Sequence, residues 1–161
     1  YVRDYFRKAV LDALLAEKLP VTVFGEGWEK YSCGDEHSLR REPAVPFALS
    51  FERITKAHVL LNVSPIFNRG MHDRVPAGMA NHAVVLTDEN PYLRRTFTDG
   101  KELLFYSLEK PDTLCEQAER TLTDVRLREK IAASAYETFE REYTWKRRAE
   151  QILAFAEEVE A

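Results

Sequence analysis

Apolar patterns typical of helices and of strands follow one another along the first two thirds of the chain. Apolar positions at helical spacing predict an amphipathic helix over about residues 2–18, which should end ahead of Pro20 because a residue before proline leaves the α region. Four apolar runs of strand length follow, at residues 21–24, 59–63, 83–86 and 103–106. Residues 44–47 are a further candidate strand, in which Pro46 indicates an edge or an early stop.

Helical patterns separate these strands and fill the rest of the chain. They lie over residues 48–57, 71–80, 90–97, 111–123 and 124–142, and Thr144 can cap a last helix. The alternation predicts an α/β fold: a Rossmann-like parallel sheet of about five strands, with helices on both faces and a helical C-terminal third.

The opening helix stands where a Rossmann-like sheet should already have its central first strand. We therefore expect that strand to lie upstream of Tyr1, or the sheet to be rearranged or completed by a partner. Residues 1–161 are interpreted as one Rossmann-like domain of a longer protein.

Residues 58–88 contain the most informative pattern. An apolar strand, a loop with Pro65 and Gly70, a short helix and a second apolar strand form a βαβ unit. At the junction of loop and helix, backbone N–H groups and the positive helix end point the same way, which is a common phosphate-binding arrangement. The sequence therefore predicts an anion site at this junction.

Composition narrows the class of protein. The 161 residues are 45% hydrophobic, and 23 basic against 27 acidic residues give a net charge of −4, so no positive field favours nucleic acid. No apolar run approaches the roughly 20 residues of a membrane span. Cys33 and Cys115 lie far apart outside any metal-type cluster, which favours reduced thiols and a cytoplasmic location.

Several segments resemble one family in the right order. Residues 74–88, reading RVPAGMANHAVVLTD, resemble the C-terminal half of GT-B glycosyltransferases, nearest to the spore-maturation-protein-like, glycosyl transferases group 1 proteins of bacteria. Further matching segments are a Gly-x-Gly-Trp turn at residues 23–28, a strand ending in Asn at 60–63, a turn and strand at 99–106, and a helix opening at 143–149.

The resemblance implies a function. This domain would hold a nucleotide-sugar donor, and a separate N-terminal domain of the same protein would bind the acceptor, with transfer in the cleft between them. Charge on the leaving diphosphate would be met by helix N–H groups and an arginine, so no metal or other cofactor is expected. A base, if one exists, would lie on the other domain, so no catalytic residue is assigned. Whether the protein forms a homo-oligomer is left open.

One departure keeps an alternative open. Many GT-B enzymes carry two glutamates around this loop and helix, but Arg69 and Ala77 occupy those positions here, and His82 replaces a common glycine. A non-catalytic Rossmann-like module for nucleotide binding or protein association is therefore the rival function. A flavodoxin-like or receiver-like domain would need an acidic cluster after its first strand, where only Glu26 is present.

The candidate nucleotide-sugar-binding residues lie mainly in the loop and at the first helical turn. Gly70 and Met71 could let the backbone approach a diphosphate, although Gly70 also suits an ordinary loop. His72 could donate to sugar or phosphate, or be merely solvated. Asp73 is expected to cap the helix, and Arg74 to offer a two-pronged fork to phosphate or a surface ion pair.

The remaining candidates lie around the strands. Asn62 and Ser64 follow a strand and face the crevice in which α/β sheets bind ligands. Asp88 could reach sugar hydroxyls or cap the following helix. Phe47 could line a base pocket or simply fill the core.

Overall fold

A helix opens the chain in the structure, a computed structural model that describes residues 2–160. Helix α1 spans Val2–Ala16, close to the prediction. Lys18 adopts a left-handed φ of 56°, and the N–H of Leu19 bonds to the carbonyl of Leu14 at 3.0 Å. The helix therefore ends in a left-handed turn before Pro20, a common way of satisfying the last carbonyls of a helix.

Five short strands follow in the chain. They are β1 (Val21–Phe24), β2 (Leu39–Glu42), β3 (Val59–Asn62), β4 (Val84–Asp88) and β5 (Leu104–Tyr106). The predicted strand at residues 44–47 is wrong, because β2 lies earlier and Pro46 is instead the N-cap residue of the next helix. β2 escaped the sequence pattern because only Leu39 is buried in its charged LRRE run, a composition typical of edge strands.

Six more helices complete the described chain, together with a short 3-10 helix at Trp28–Lys30. They are α2 (Phe47–Ile54), α3 (Arg74–Ala80), α4 (Pro91–Thr96), α5 (Pro111–Thr123), α6 (Val125–Glu142) and α7 (Trp145–Glu160). The predicted cap of the last helix is confirmed, since Thr144 Oγ1 accepts the N–H of Arg147 at 3.2 Å. No helix in this part of the chain has the length and apolar character that crossing a membrane requires.

The predicted α/β class with parallel strands is confirmed, but the strands form two sheets. β1 pairs with β2, and β3, β4 and β5 pair in that order, all in parallel. A doubly wound sheet has its strands in the spatial order 3-2-1-4-5-6. In that order, β2 and β1 correspond to strands 3 and 2, and β3, β4 and β5 correspond to strands 4, 5 and 6. No described residue fills the place of strand 1.

Helices cover both faces of the three-stranded sheet. All five residues of β4 are buried, as expected for a strand covered on both sides. Val84 and Leu86 pack into a cluster with residues of α1, α5 and α6. Val85 packs on the opposite face with Val75 and Met79 of α3. This layering fixes α3 against the sheet, with its first turn at the carboxyl ends of the strands.

Two special backbone positions help to set the geometry of α3. Gly78 lies so close to the sheet that an added Cβ would collide with Val85 Cγ2 and lie 3.0 Å from Leu60 Cδ2. His82, where resembling proteins commonly have glycine, adopts a left-handed φ of 56° between α3 and β4. Its ring stacks on Tyr136, with the centroids 4.2 Å apart, so its side chain packs against α6.

Candidate functional site

Buried polar side chains gather at the carboxyl edge of β3 and β4. Asn62 ends β3, Ser64 follows it, and Thr87 and Asp88 end β4; each is at most 8% exposed. Polar groups are buried at this depth only when they are hydrogen-bonded. These side chains form a hydrogen-bond network, and it lies where α/β sheets usually bind ligands.

Asn62 is the centre of this network. Its Nδ2 donates to Thr87 Oγ1 at 2.9 Å, and its Oδ1 accepts both Ser64 Oγ at 3.1 Å and Arg74 Nε at 2.9 Å. Its backbone carbonyl accepts the hydroxyl of Tyr106 at 2.9 Å. Through its side chain and its backbone carbonyl, Asn62 thus links all three strands of the sheet to the first residue of α3.

Arg74 brings the positive charge to this edge. Besides its bond to Asn62, its guanidinium lies 3.5 Å from Ser64 Oγ through Nη2. The side chain is partly buried, so both its direction and its reach are fixed by the network. A guanidinium held in this way offers a planar set of donors suited to phosphate oxygens.

Asp88 holds the backbone of Ser64 in this network. Its Oδ1 accepts the backbone N–H of Ser64 at 2.7 Å, and the residue is 4% exposed. Burial raises the pKa of this carboxyl above its usual range, while the Ser64 N–H and the nearby charge of Arg74 oppose that shift. Such a buried carboxylate orients its neighbours more readily than it contacts a ligand.

Asp73 does not cap α3, contrary to the sequence prediction. It has helical backbone angles, and its side chain makes no capping hydrogen bond. His72 performs this role: its Nδ1 accepts the N–H of Arg74 at 3.2 Å, and its carbonyl accepts that of Val75 at 2.9 Å. An accepting Nδ1 requires that nitrogen to be unprotonated, and burial, followed by the charge of Arg74, lowers the pKa of His72.

The N–H groups in the first turn of α3 already have acceptors within the chain. The N–H groups of Arg74 and Val75 are taken by His72, Pro76 has none, and that of Ala77 bonds to the Asp73 carbonyl at 3.0 Å. The first turn of α3 thus has no amide left for an anion. What the helix start offers is the side chains of its first residues.

A residue that the sequence analysis missed holds the loop before α3. Asn90 Nδ2 donates to the carbonyls of Phe67 and Gly70, at 2.5 and 3.2 Å. Its Oδ1 accepts the N–H of Leu93 at 2.8 Å and so caps α4, the role that had been considered for Asp88. The Asn-Pro pair at the start of α4 is the signal that could have identified this cap.

The other predicted residues are distributed as follows. Met71 packs against the cluster on the α3 face of the sheet. A Cβ on Gly70 would meet nothing within 4 Å, so the chain itself does not require glycine there. Phe47 begins α2, is 76% exposed and contacts Phe51 edge to face, and no described contact joins it to the polar network. The structure thus brings together Asn62, Ser64, His72, Arg74 and Asp88, and leaves Phe47 apart.

The family of the chain follows from comparison with known proteins. Residues 3–154 match the family described as glycosyl transferase-like. The chain therefore belongs to the glycosyl transferase-like family, and the resemblance to the C-terminal domain of GT-B glycosyltransferases is confirmed. Among curated protein sequences, none is significantly similar to it.

Solved structures share the fold at low sequence identity. HepE of Anabaena, solved in complex with UDP-glucose, is 12% identical with a TM-score of 0.76, over 93% of this chain and 44% of HepE. A glycosyltransferase of Rickettsia africae ESF-5 is 10% identical with a TM-score of 0.76, over 94% of this chain and 44% of that one. The C-terminal domain of LpcC, a glycosyl transferase group 1 family protein of Francisella tularensis, is 12% identical with a TM-score of 0.53, over 83% and 92%. The chain thus spans less than half the length of the first two.

Proposed function

We propose that this chain binds the nucleotide-sugar donor of a glycosyl transfer at the carboxyl edge of β3 and β4. The observation that carries the proposal is that Asn62 and Ser64 hold the guanidinium of Arg74 at this edge. The chain also belongs to the glycosyl transferase-like family. HepE, which shares the fold, was solved with UDP-glucose and with UDP. A nucleoside diphosphate sugar is the donor class that fits both points.

Arg74 is the group proposed to meet the diphosphate. In a glycosyl transfer, the bond between the anomeric carbon and the diphosphate oxygen breaks, and negative charge grows on the leaving group. A fixed cation near that oxygen lowers the barrier because it needs no reorganisation during the reaction. The helix amides cannot share this task, since His72 and Asp73 already occupy them.

His72 is the second side chain at this edge that is exposed enough to touch a ligand. Its Nδ1 faces the backbone of Arg74, which leaves Nε2 as the donor for a phosphate or sugar oxygen. Asn62 and Asp88, which are 1% and 4% exposed, hold the network in place and are proposed to position Arg74.

The charge of the diphosphate is proposed to be neutralised by side chains, without a metal ion. The affinity for UDP should therefore be the same in EDTA and in Mg²⁺.

The remainder of the enzyme is proposed to come from a longer polypeptide. The chain covers 44% of HepE, and the place of strand 1 between its two sheets is not filled by described residues. Four apolar side chains of α7, at positions 152, 153, 155 and 159, are 64–69% exposed. We propose that an N-terminal acceptor-binding domain supplies the rest of the cleft and any base.

A non-catalytic module is the second candidate, and one observation favours it. Arg69 and Ala77 stand where many GT-B enzymes carry glutamates, and Arg69 is exposed in the loop. Transfer or hydrolysis of the donor by the complete protein distinguishes the two candidates. Donor turnover that is lost in the Arg74→Ala variant supports the enzyme, whereas donor binding without turnover supports the module.

The experiment that tests donor binding is an NMR titration of the chain with UDP, GDP and ADP. Binding of at least one of them should shift the amide signals of residues 62–74 and of Asp88, while signals of α7 stay unchanged. Signals that move only elsewhere, or not at all, would contradict the proposed site. The nucleotide with the highest affinity identifies the base.

A further inference from the structure

The loop between β3 and α3 presents an aromatic ring beside the polar network. The side chain of Phe67 is 40% exposed, and its ring centroid lies 5.7 Å from that of His72, with the two planes tilted by 58°. His72 in turn accepts the N–H of Arg74 through Nδ1. Only the side chain of His72 therefore separates the exposed ring of Phe67 from the residue proposed to meet the diphosphate.

The backbone of Phe67 is held on both sides. Its N–H donates to the carbonyl of Ser64 at 3.0 Å, and its own carbonyl accepts Nδ2 of Asn90 at 2.5 Å. The same Nδ2 donates to the carbonyl of Gly70 at 3.2 Å, and Asn90 is 9% exposed. One buried amide thus ties both ends of the segment 67–70 to the start of α4. A loop fixed in this way loses little entropy when a ligand contacts its side chains.

The two rings combine different chemistry at one place. Phe67 contributes an apolar face, and His72 contributes Nε2 as a hydrogen-bond donor, since its Nδ1 faces the backbone of Arg74. Ligand sites commonly join an aromatic surface with a few precisely placed polar groups. A hexose matches this pair, because C–H groups line one face of its ring and hydroxyl groups surround it. Phosphate has no apolar face for an aromatic ring to contact.

We propose that Phe67 contacts the sugar of the nucleotide-sugar donor and that Asn90 is the residue that positions Phe67. This assignment rests on the proposed function and extends it from the diphosphate, which is assigned to Arg74, to the sugar. The apolar face of the sugar packs on the ring of Phe67, while His72 binds a neighbouring oxygen. The preference of the site for a diphosphate that carries a sugar then depends on the loop before α3.

The loop offers variants that separate the ring from its surroundings. Phe67→Leu keeps an apolar side chain and removes the ring, whereas Phe67→Tyr keeps the ring. Ile66→Ala is the matched control, because it removes the neighbouring apolar side chain, which is 65% exposed. Asn90→Ser retains an oxygen that can cap α4. Serine has no amide to donate to the carbonyls of Phe67 and Gly70.

The test is isothermal titration of UDP and UDP-glucose, and of the matched GDP and ADP pairs, into the wild-type chain and these variants, with thermal melts to compare folding. Phe67→Leu should weaken binding of the sugar nucleotide by about 2- to 12-fold, the range expected for one aromatic contact, and leave that of the nucleoside diphosphate unchanged. Asn90→Ser should cause a selective loss in the same direction. Phe67→Tyr and Ile66→Ala should match the wild type.

The outcomes distinguish the sugar contact from the proposed function. Equal losses for a nucleoside diphosphate and its glucose conjugate in Phe67→Leu overturn the sugar contact, and so do unchanged affinities for both. A wild-type chain that binds a nucleoside diphosphate but not its glucose conjugate also overturns it. An Asn90→Ser chain that is unfolded, or that keeps the wild-type preference, overturns the positioning role of Asn90 alone. A folded wild-type chain that binds none of UDP, GDP and ADP overturns the proposed function itself.

Discussion

Arg74 Nε donates to Asn62 Oδ1 across 2.9 Å, and this bond joins the start of α3 to the end of β3. The same amide also donates to Thr87 on β4, so a single buried side chain sets the position of the arginine relative to two strands. The sheet therefore fixes the Nε end of the guanidinium, and Ser64, directly after β3, lies 3.5 Å from Nη2. This relationship leads to the first prediction.

Asn62→Ala should destabilise the chain and release Arg74. Its removal leaves Thr87 and Arg74 without their shared partner, and each unsatisfied buried group costs about 1–3 kcal/mol. Urea unfolding measures this loss. Asn68→Ala, at an exposed loop position, should change the free energy of unfolding by less than about 0.5 kcal/mol. Equal stability of the two variants would show that the network contributes nothing.

Asp88→Asn should alter the pH dependence of stability. Because burial raises the pKa of Asp88 in the folded chain, the folded state binds more protons than the unfolded state at pH values above the ordinary 3.8. The contribution of Asp88 to stability is thus complete below 3.8 and is lost as the pH rises through the folded pKa. Asparagine keeps an acceptor for the Ser64 N–H without this loss.

Urea unfolding at several pH values between 4 and 7 tests this sign. The stability of Asp88→Asn relative to wild type should increase with pH, whereas Asp73→Asn, at an exposed position, controls for the removal of one negative charge. A relative stability that falls with pH would mean that the charge of Arg74 outweighs the burial of Asp88.

His72→Ala should cost stability, and Asp73→Ala should not. The side chain of His72 accepts the N–H of Arg74 at the start of α3, whereas the side chain of Asp73 accepts none. Loss of a helix cap costs about 0.5–2 kcal/mol, and His72→Asn should recover part of it because asparagine is a good cap. Thermal melts of the three variants provide the comparison. A larger effect at Asp73 than at His72 would restore the cap that the sequence predicted.

Gly78→Ala should destabilise the chain although alanine favours helices. The new Cβ would collide with Val85 and crowd Leu60, and such overpacking costs about 1–3 kcal/mol against a gain of about 1 kcal/mol in helix propensity. The cost should shrink in a Val85→Ala background. Gly70→Ala is the matched control, since its Cβ meets nothing, and it should be neutral or slightly stabilising. A stable Gly78→Ala chain would mean that α3 lies farther from the sheet.

The parts of the fold that could be predicted from the sequence are those with fully buried strands. The apolar runs of β3, β4 and β5 are continuous because both faces of the sheet are covered, and the chain order of such runs predicts a parallel sheet. β2 could not be predicted because its charged residues follow neither strand nor helix spacing. The strands form two sheets because no described residue occupies the place of strand 1, which would lie between β1 and β3 in the doubly wound order.

The site could be predicted in part for a related reason. Side chains that end neighbouring parallel strands must meet, so Asn62, Ser64 and Asp88 could be placed together before any coordinates were known. The contact between His72 Nδ1 and the backbone of Arg74 depends on a side-chain rotamer, for which the sequence contains no signal. The cytoplasmic location stays a prediction.

The most direct measurement of the central claim is the affinity of UDP for the wild-type chain, Arg74→Ala and Arg74→Lys by isothermal titration. If Arg74 binds the diphosphate, Arg74→Ala should weaken binding by about 10- to 150-fold, and Arg74→Lys should be intermediate because it keeps the charge without the fork. Wild-type affinity in a correctly folded Arg74→Ala chain would contradict the claim.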